Sequence, residues 1–173
     1  ATADIYMPAG APVDPFHDLE FPFFGAFYAA HQGLMLHASA VDMNGQAWLF
    51  IGPSGAGKSH WTRYCRARGG LAFSEDRVVV RVLDGQVWAF GTPWHRRDQF
   101  HEPHRAPLRR IYFLRQAEPD QCEPASQGAA ATLMLRAAVL PVYDSLLMSR
   151  ILEVIDASVQ QAAVFRLGYA RQD

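Results

Sequence analysis

The residues that point most directly to chemistry form a glycine-rich run at 52–59, which fits the pattern G-x-x-x-x-G-K-[ST] at every fixed position. This is the Walker A pattern, or P-loop, in which glycines let successive backbone N–H groups turn inward around a phosphate. Lys58 would reach the β- and γ-phosphates of a nucleotide, and the Ser59 hydroxyl would hold Mg²⁺. The predicted nucleotide-binding residues are Gly52, Pro53, Ser54, Gly55, Ala56, Gly57, Lys58, Ser59 and the adjoining His60.

The segments on either side of this run have the order that a P-loop requires. The apolar stretch 46–51 is typical of a buried strand. Residues 58–68 contain no Gly or Pro and predict a helix that ends at Gly69-Gly70. Because the N-terminus of a helix attracts anions, this order of strand, glycine loop and helix predicts a phosphate site in place of an ordinary turn.

A P-loop also needs an acidic partner for its metal ion, and two positions are candidates. Asp84 follows a β-branched run, but the pair Asp84-Gly85 is better explained as the tip of a hairpin. Glu75 and Asp76 follow the next strand after the P-loop helix, and such strands end on the same side of a sheet as the phosphate loop. We therefore favour Glu75 and Asp76, one to hold Mg²⁺ and the other to accept a proton from an attacking hydroxyl.

Basic side chains supply further candidates for the site. His37 lies in a predicted strand one hairpin before the P-loop, where a lone histidine is more often a core residue than a catalyst. Arg96 and Arg97 lie in a long loop, 91–107, that is rich in Pro and His. They are candidates for holding the phosphate or carboxylate of a substrate, and a solvated basic surface is the alternative.

The composition excludes several classes of function. The 173 residues include 16 basic and 17 acidic ones, a balance that gives no support to non-specific nucleic-acid binding. Half of the residues are hydrophobic, as expected for one folded domain. The uncharged stretch 21–41 is interrupted by Pro, Gly and His, and it does not predict a membrane span. Cys65 and Cys122 are expected to be reduced thiols of a cytoplasmic protein, and a disulfide between them is the alternative.

The hairpin signals predict an α/β domain with a mixed, hairpin-rich sheet. Strands at 34–43 and 46–51 are joined by Asn44-Gly45, a strong two-residue hairpin signal. This hairpin makes the strand before the P-loop antiparallel to its neighbour, so the ordinary parallel nucleotide-binding sheet is not expected.

The other elements are predicted from periodicity and from Gly and Pro. Residues 1–22 contain four prolines and predict an extended lead-in to a single domain at 23–173. Further strands are predicted at 71–74, 77–83, 86–90, 109–114 and 163–168, helices at 23–31, 129–140 and 142–158, and loops at 91–107 and 117–131.

Three segments resemble the core of the HPr kinase/phosphorylase family. They are Leu36-His37-Ala38-Ser39-Ala40-Val41-Asp42, the P-loop at 52–59, and Leu71-Ala72-Phe73-Ser74-Glu75-Asp76-Arg77. The resemblance is spread over residues 34–91 and extends more loosely to residue 115. It implies the fold that this family shares with phosphoenolpyruvate carboxykinases, with the phosphate loop in a mixed sheet, and it implies ATP and Mg²⁺ as cofactors.

The resemblance also implies roles for individual residues. His37 matches the family's active-site histidine, Lys58 its P-loop lysine and Ser59 its Mg²⁺ ligand. Glu75 falls where the first Asp of the family's acidic pair acts as the base, and Asp76 falls at the second, which we expect to bind the metal. Glu in place of Asp at position 75 would reach one methylene further. No segment resembles the family's phosphorolysis signature or its N-terminal domain, which implies a compact, kinase-only relative.

We therefore expect an Mg-ATP-dependent kinase that transfers the γ-phosphoryl group to a serine hydroxyl of a peptide or small protein. The segments 91–94 and 106–114 also look like small relatives in bacterial clusters for ribosomally made peptides, including lasso peptides, where a peptide serine is phosphorylated. The alternatives are a regulatory module that binds ATP without transferring it, and a small-molecule kinase. Because members of the family often assemble, a homo-oligomer is also an expectation.

Overall fold

The structure is a computed structural model that describes residues 15–94, 102–117 and 120–169. Within those ranges, side chains are described for residues 22–168. In chain order the described elements are α1 (Pro15–Ala30), β1 (Gly33–Asp42), β2 (Ala47–Ile51), α2 (Lys58–Arg66), β3 (Leu71–Ser74), β4 (Arg77–Leu83), β5 (Gln86–Gly91), β6 (Arg105–Gln116), β7 (Gln121–Pro124), α3 (Gln127–Ala137), α4 (Ser145–Gln161) and β8 (Ala163–Tyr169).

Both predicted hairpins are present. Asn44 and Gly45 have φ angles of 57° and 79°, and Asp84 and Gly85 have φ angles of 50° and 75°. A two-residue turn that follows the twist of its strands needs positive φ at both central residues, and Asn, Asp and Gly tolerate it best. β1 therefore pairs antiparallel with β2, and β4 pairs antiparallel with β5.

Parallel pairs complete the sheet. β2 pairs parallel with β6, and β6 pairs parallel with β8, so the described strands form one mixed sheet. β1, β4, β5, β6 and β2 are paired in succession, and β2 returns to β1, so these five strands form a closed cycle. The predicted mixed α/β class is confirmed, and the strand before the P-loop has one antiparallel and one parallel neighbour.

The helices divide between the two faces of the sheet. α1, α3 and α4 cover the larger core, which includes Leu34, Leu36 and Met134. α2 covers a smaller core that includes Val41 and Phe50. Because side chains alternate along a strand, β1 contributes Leu34 and Leu36 to one core and Val41 to the other.

The first helix differs from the prediction. Residues 15–22, predicted to be extended, form the first half of α1, and the helix predicted at 23–31 is its continuation. Pro15 is the first residue of α1, a position where the missing N–H of proline is tolerated, whereas Pro22 lies inside the helix. Residues 1–14 lie outside the described ranges.

Two predicted loops are also shorter than expected. The loop predicted at 91–107 ends where β6 begins, and β6 pairs with β5 through Pro107 and Trp88. The loop predicted at 117–131 contains β7 and the first turn of α3. α3 begins early because the Ser126 side chain accepts a hydrogen bond from the Ala129 backbone N–H and so caps the helix.

The remaining strands and α2 lie within two residues of their predicted bounds. Pro141 separates α3 from α4 as predicted, but α4 begins at Ser145 and not at Val142. Asp144 explains the later start, because its carboxylate accepts hydrogen bonds from the backbone N–H groups of Leu146 and Leu147.

Candidate active site

Residues 52–59 lead from the end of β2 into the first turn of α2. Gly55 and Gly57 have φ angles of 79° and 93°, in the left-handed region that glycine adopts without strain. Gly57 is the N-cap residue of α2, and no described side chain caps this end of the helix. A helix N-terminus that lacks a side-chain cap attracts anions through its backbone dipoles, as a phosphate site requires.

Gly52 lets the loop begin in close contact with a neighbouring strand. A Cβ at position 52 would lie 2.8 Å from the Ala56 Cβ and 3.2 Å from the Leu114 Cβ of β6. The backbone folds back at once, since the Ala56 N–H donates to the Pro53 carbonyl over 3.1 Å. The first glycine of the motif is therefore required by contacts within the protein as well as by any ligand.

Lys58 is only 8% exposed, and its ammonium group lies inside the loop. The Nζ atom donates to the carbonyl of Gly52 over 2.8 Å and to the carbonyl of Pro53 over 3.1 Å. Charged phosphate oxygens are stronger acceptors for an ammonium group than neutral carbonyl oxygens. A phosphate in the loop would therefore compete with these two carbonyls for Lys58.

The acidic pair at 75–76 lies between two residues that both pair with β1. Before it, Ser74 pairs with Ala40 of β1, and after it, Arg77 pairs with His37. Ser74 and Arg77 are three residues apart, and so are their partners Ala40 and His37. The register with β1 is therefore the same on either side of the break. The two carboxylates thus follow the end of β3, as predicted, and occupy the break between β3 and β4 beside β1.

The P-loop and the acidic pair follow two strands that flank β1. Ile51, the last residue of β2, pairs with Ala38, and Ser74, the last residue of β3, pairs with Ala40. β2 and β3 are both antiparallel to β1 and therefore run in the same direction. This arrangement agrees with the expected topology, in which the loop and the carboxylates emerge at the same end of the strands.

Asp76 lies between two basic side chains. Its Oδ1 atom is 3.5 Å from Nε2 of His37, and its Oδ2 atom is 4.0 Å from Nε of Arg77. The Ala38 N–H donates to the Asp76 carbonyl over 3.2 Å, which fixes the backbone of the break against β1. The Asp76 side chain is 27% exposed and Glu75 is 3% exposed, so the two carboxylates differ in their access to water.

A buried contact joins α2 to β1. Thr62 Oγ1 lies 3.1 Å from Ser39 Oγ and 3.0 Å from the Lys58 carbonyl. Ser39 follows His37 by two residues in β1, and Thr62 follows Lys58 by four residues in α2. The contact therefore fixes the two elements that carry the candidate catalytic residues relative to each other.

An aromatic layer in the smaller core supports α2. Phe50 stacks on Tyr112, and Tyr112 stacks on Phe165, with ring centroids 5.3 Å apart in both pairs. Burial raises the pKa of Tyr112, and the hydrogen bond from Arg110 opposes that shift. Burial also raises the pKa of the Cys65 thiol in α2. Both pKa values move away from neutral pH, which fits a structural layer.

A cavity of about 640 Å³ opens beside the start of the P-loop. Gly52 and Pro53 line one part of it, and His37 and Arg77 line another. Arg136, in the last turn of α3, lines it as well. Sequence reasoning missed Arg136, because this arginine lies far from the P-loop in the chain and belongs to no motif.

The other predicted site residues have no described contact that assigns them a role. Ser59 is half-buried in the first turn of α2, and His60 is exposed with its ring edge-on to Trp61 at 5.7 Å. Arg96 and Arg97 lie outside the described residues.

Two further findings concern the described ranges as a whole. No three His, Cys, Asp or Glu side chains in them form a group that could hold a metal ion. None of the helices in the same ranges combines the length and the apolar character that crossing a membrane requires.

Comparisons with known proteins add a family and a solved structure. A family model described as "ScmC: SynChlorMet cassette protein ScmC" matches residues 25–166. The solved structure of the Hpr(Ser) kinase/phosphatase from Coxiella burnetii matches with a TM-score of 0.44 and 10% sequence identity, covering 80% of this chain and 79% of that chain. No curated protein matches the chain.

Proposed function

The chain belongs to the ScmC family of SynChlorMet cassette proteins, and we propose that it is an Mg-ATP-dependent kinase. In this proposal it transfers the γ-phosphoryl group of ATP to a serine hydroxyl of a peptide or small protein. Residues 23–173 would form one catalytic domain with an HPr-kinase-like P-loop fold, and Arg96 and Arg97 would contact the substrate. The three sequence segments that resemble the HPr kinase family support this assignment.

The observation that carries the proposal is that a complete P-loop and two carboxylates follow the two strands that pair with the middle of β1, the strand that carries His37. Ile51 and Ser74 end their strands opposite Ala38 and Ala40, two positions apart along β1, which supports placing the residues that follow them in one site. A module that only binds ATP needs the loop and a ligand for its metal ion, but it does not need a base at position 75. Carboxylates beside the γ-phosphate are needed when a hydroxyl must lose its proton.

The loop and Lys58 would bind the phosphates. The N-terminus of α2, which no side chain caps, would attract the β-phosphate, and Lys58 would exchange the carbonyls of Gly52 and Pro53 for phosphate oxygens. The ammonium charge is already inside the loop before the nucleotide arrives. Little reorganisation is then needed to stabilise the charge on the transferring group.

The acidic pair would handle the proton. The serine oxygen forms its bond to the γ-phosphorus while the bond from that phosphorus to the β,γ-bridging oxygen breaks, and ADP leaves. The serine proton passes to Glu75, which is shielded from bulk water at 3% exposure. His37 would position Asp76 through their 3.5 Å contact.

The oxygen donors present suit Mg²⁺. This ion keeps several water molecules and is usually held by one or two protein oxygens together with substrate phosphates. Ser59 and Asp76 are such donors, and the lack of a three-ligand group in the described residues fits a cation that arrives with ATP. When bound, the ion would neutralise charge on the phosphates.

The test is transfer of label from γ-phosphate-labelled ATP, with Mg²⁺, into serine-containing peptides. We expect Lys58→Ala and Glu75→Gln to abolish transfer. Asp84→Asn is the matched control and should keep full activity, because Asp84 is at a hairpin tip where Asn tolerates the φ of 50°.

Three outcomes would overturn parts of the proposal. Tight ATP binding without transfer to any acceptor would make the protein a regulatory module. Normal transfer by Glu75→Gln would remove Glu75 from the role of base. Transfer to a small molecule in preference to peptides would leave the kinase chemistry in place but change the substrate class.

A further inference from the structure

The cavity beside the P-loop has a charge that differs from that of the whole chain. Its described lining includes three basic side chains, His37, Arg77 and Arg136, and no acidic one. The chain as a whole has a formal net charge of −1, so this positive charge is local. The volume of about 640 Å³ lies within the range of roughly 300–1,000 Å³ that is usual for ligand pockets.

The wall of the cavity is apolar. Phe113 of β6, Leu133 of α3 and Val139 after α3 line it. A pocket with an apolar wall and a few charged groups selects a ligand that is partly apolar and carries the opposite charge. Inorganic phosphate, which has no apolar part, would leave this wall unused.

Arg136 is the basic side chain of this lining that has no described carboxylate beside it. No hydrogen bond or ion pair to another residue of the described ranges engages Arg136. Arg77 and His37, in contrast, lie 4.0 Å and 3.5 Å from the Asp76 carboxylate. Arg136 is exposed, and a guanidinium can offer two parallel N–H groups to one carboxylate.

We propose that this cavity is the acceptor pocket and that it takes an acidic peptide, with an apolar residue against Phe113, Leu133 and Val139 and a carboxylate paired with Arg136. This inference rests on the proposed kinase function and names its substrate class. Arg136 is then a specificity-determining residue.

The position of the cavity favours an acceptor over the nucleotide. The phosphates are expected at the N-terminus of α2, which packs against the smaller core. Leu133 of α3 packs against the larger core on the other face. Gly52 and Pro53 line the cavity, whereas Lys58 does not, and His37 and Arg77 line it and also flank Asp76, so a serine held in the cavity would lie beside both the start of the P-loop and that carboxylate.

Labelled-ATP transfer to matched peptides tests the pocket. The peptides are identical except that the serine is followed by Glu or by Lys, with Leu before it in both. We expect wild-type protein to use the Glu peptide with a kcat/KM roughly tenfold or more above that of the Lys peptide. Arg136→Ala should remove the preference and Arg136→Glu should reverse it.

Arg109→Ala is the matched control, because Arg109 is an exposed arginine of β6 that is not in the cavity lining. It should keep the wild-type preference. Transfer that is equal for both peptides, or unchanged by both Arg136 substitutions, would overturn the inference and leave the kinase function in place.

Methyl NMR signals of Leu133 and Val139 give a readout that does not depend on transfer. The Glu peptide should shift these signals in wild-type protein and not in Arg136→Glu. Such shifts without any transfer would support the pocket and overturn the kinase proposal. Absence of peptide-induced shifts, or equal shifts caused by a non-hydrolysable ATP analogue alone, would overturn the pocket whatever the transfer assay shows.

Discussion

The Nε2 atom of His37, in the middle of β1, lies 3.5 Å from Oδ1 of Asp76. A second histidine–aspartate pair lies at the last residue of the same strand, where Nε2 of His104 is 2.7 Å from Oδ2 of Asp42. Asp42 pairs with Ala47 next to the hairpin turn, far from the loop. The two pairs have the same chemistry but only the first lies beside the candidate site. Comparing substitutions in the two pairs therefore distinguishes a catalytic role from a structural one.

We predict that His37→Ala lowers kcat for phosphoryl transfer at least about tenfold, because Asp76 loses the group that positions it. Nucleotide affinity should change less than about twofold, since the P-loop contacts are intact. His104→Ala should leave kcat unchanged and lower the free energy of unfolding by about 0.5–1.5 kcal/mol. Steady-state kinetics and thermal unfolding of both variants provide the comparison. Equal losses of kcat in both would reduce His37 to a structural residue.

Features set by neighbouring residues could be predicted from the sequence. The turns at Asn44-Gly45 and Asp84-Gly85 need positive φ at two adjacent positions, and these residue pairs are the ones that tolerate it. The P-loop is likewise a local pattern, with glycines at the two positions of positive φ, 55 and 57. Local turn chemistry was therefore enough to predict a mixed sheet around β2.

Features that depend on distant contacts could not be predicted. β7 has four residues, three of them exposed, and pairs with β8 alone among the described strands, so it lacks the alternation that marks a half-buried strand. Arg136 reaches the cavity only because the segment after α3 attaches to β1, where the Val139 N–H donates to the Met35 carbonyl. No spacing in the sequence reports such a contact.

Two Gly→Ala substitutions should have opposite effects on stability. Gly52→Ala should lower the free energy of unfolding by about 1–3 kcal/mol, because its Cβ would meet Ala56 at 2.8 Å in a packed loop. It should also weaken ATP binding. Gly128→Ala should raise stability by about 0.5–1 kcal/mol, since Gly128 lies in α3 and a Cβ there has no atom within 4 Å. Denaturant unfolding measures both, and a stable Gly52→Ala would contradict the close contact.

The two cysteines should react at different rates with iodoacetamide. Cys122 is exposed, whereas Cys65 is 3% exposed and burial raises the pKa of its thiol. A raised pKa leaves a smaller fraction of reactive thiolate at a given pH, so both access and ionisation slow Cys65. Mass spectrometry of the native protein should show Cys122 modified first and Cys65 only in denaturant. Equal rates under native conditions would contradict the packing of α2.

The contact between Thr62 and Ser39 couples the P-loop helix to the strand that carries His37. Thr62 has one hydroxyl proton and two neighbours, Ser39 Oγ at 3.1 Å and the Lys58 carbonyl at 3.0 Å. If the proton goes to the carbonyl, Ser39 can donate in turn to Thr62, and both buried hydroxyls are satisfied.

Thr62→Val should therefore cost about 1–3 kcal/mol of unfolding free energy, because it leaves the fully buried Ser39 hydroxyl without its partner. Adding Ser39→Ala should cost less than the sum of the single changes, and a double-mutant cycle measures this coupling. Thr132→Val is the matched control. The Thr132 hydroxyl also donates to a carbonyl four residues earlier in its helix, that of Gly128 at 3.0 Å, but Thr132 is exposed. We expect that control to stay within about 0.5 kcal/mol of wild type.

Thr62→Val should also lower phosphoryl transfer more than ATP affinity, because it loosens β1 against α2 and leaves the contacts within the P-loop in place. Additive losses in the cycle would show that the two elements are held together by other contacts.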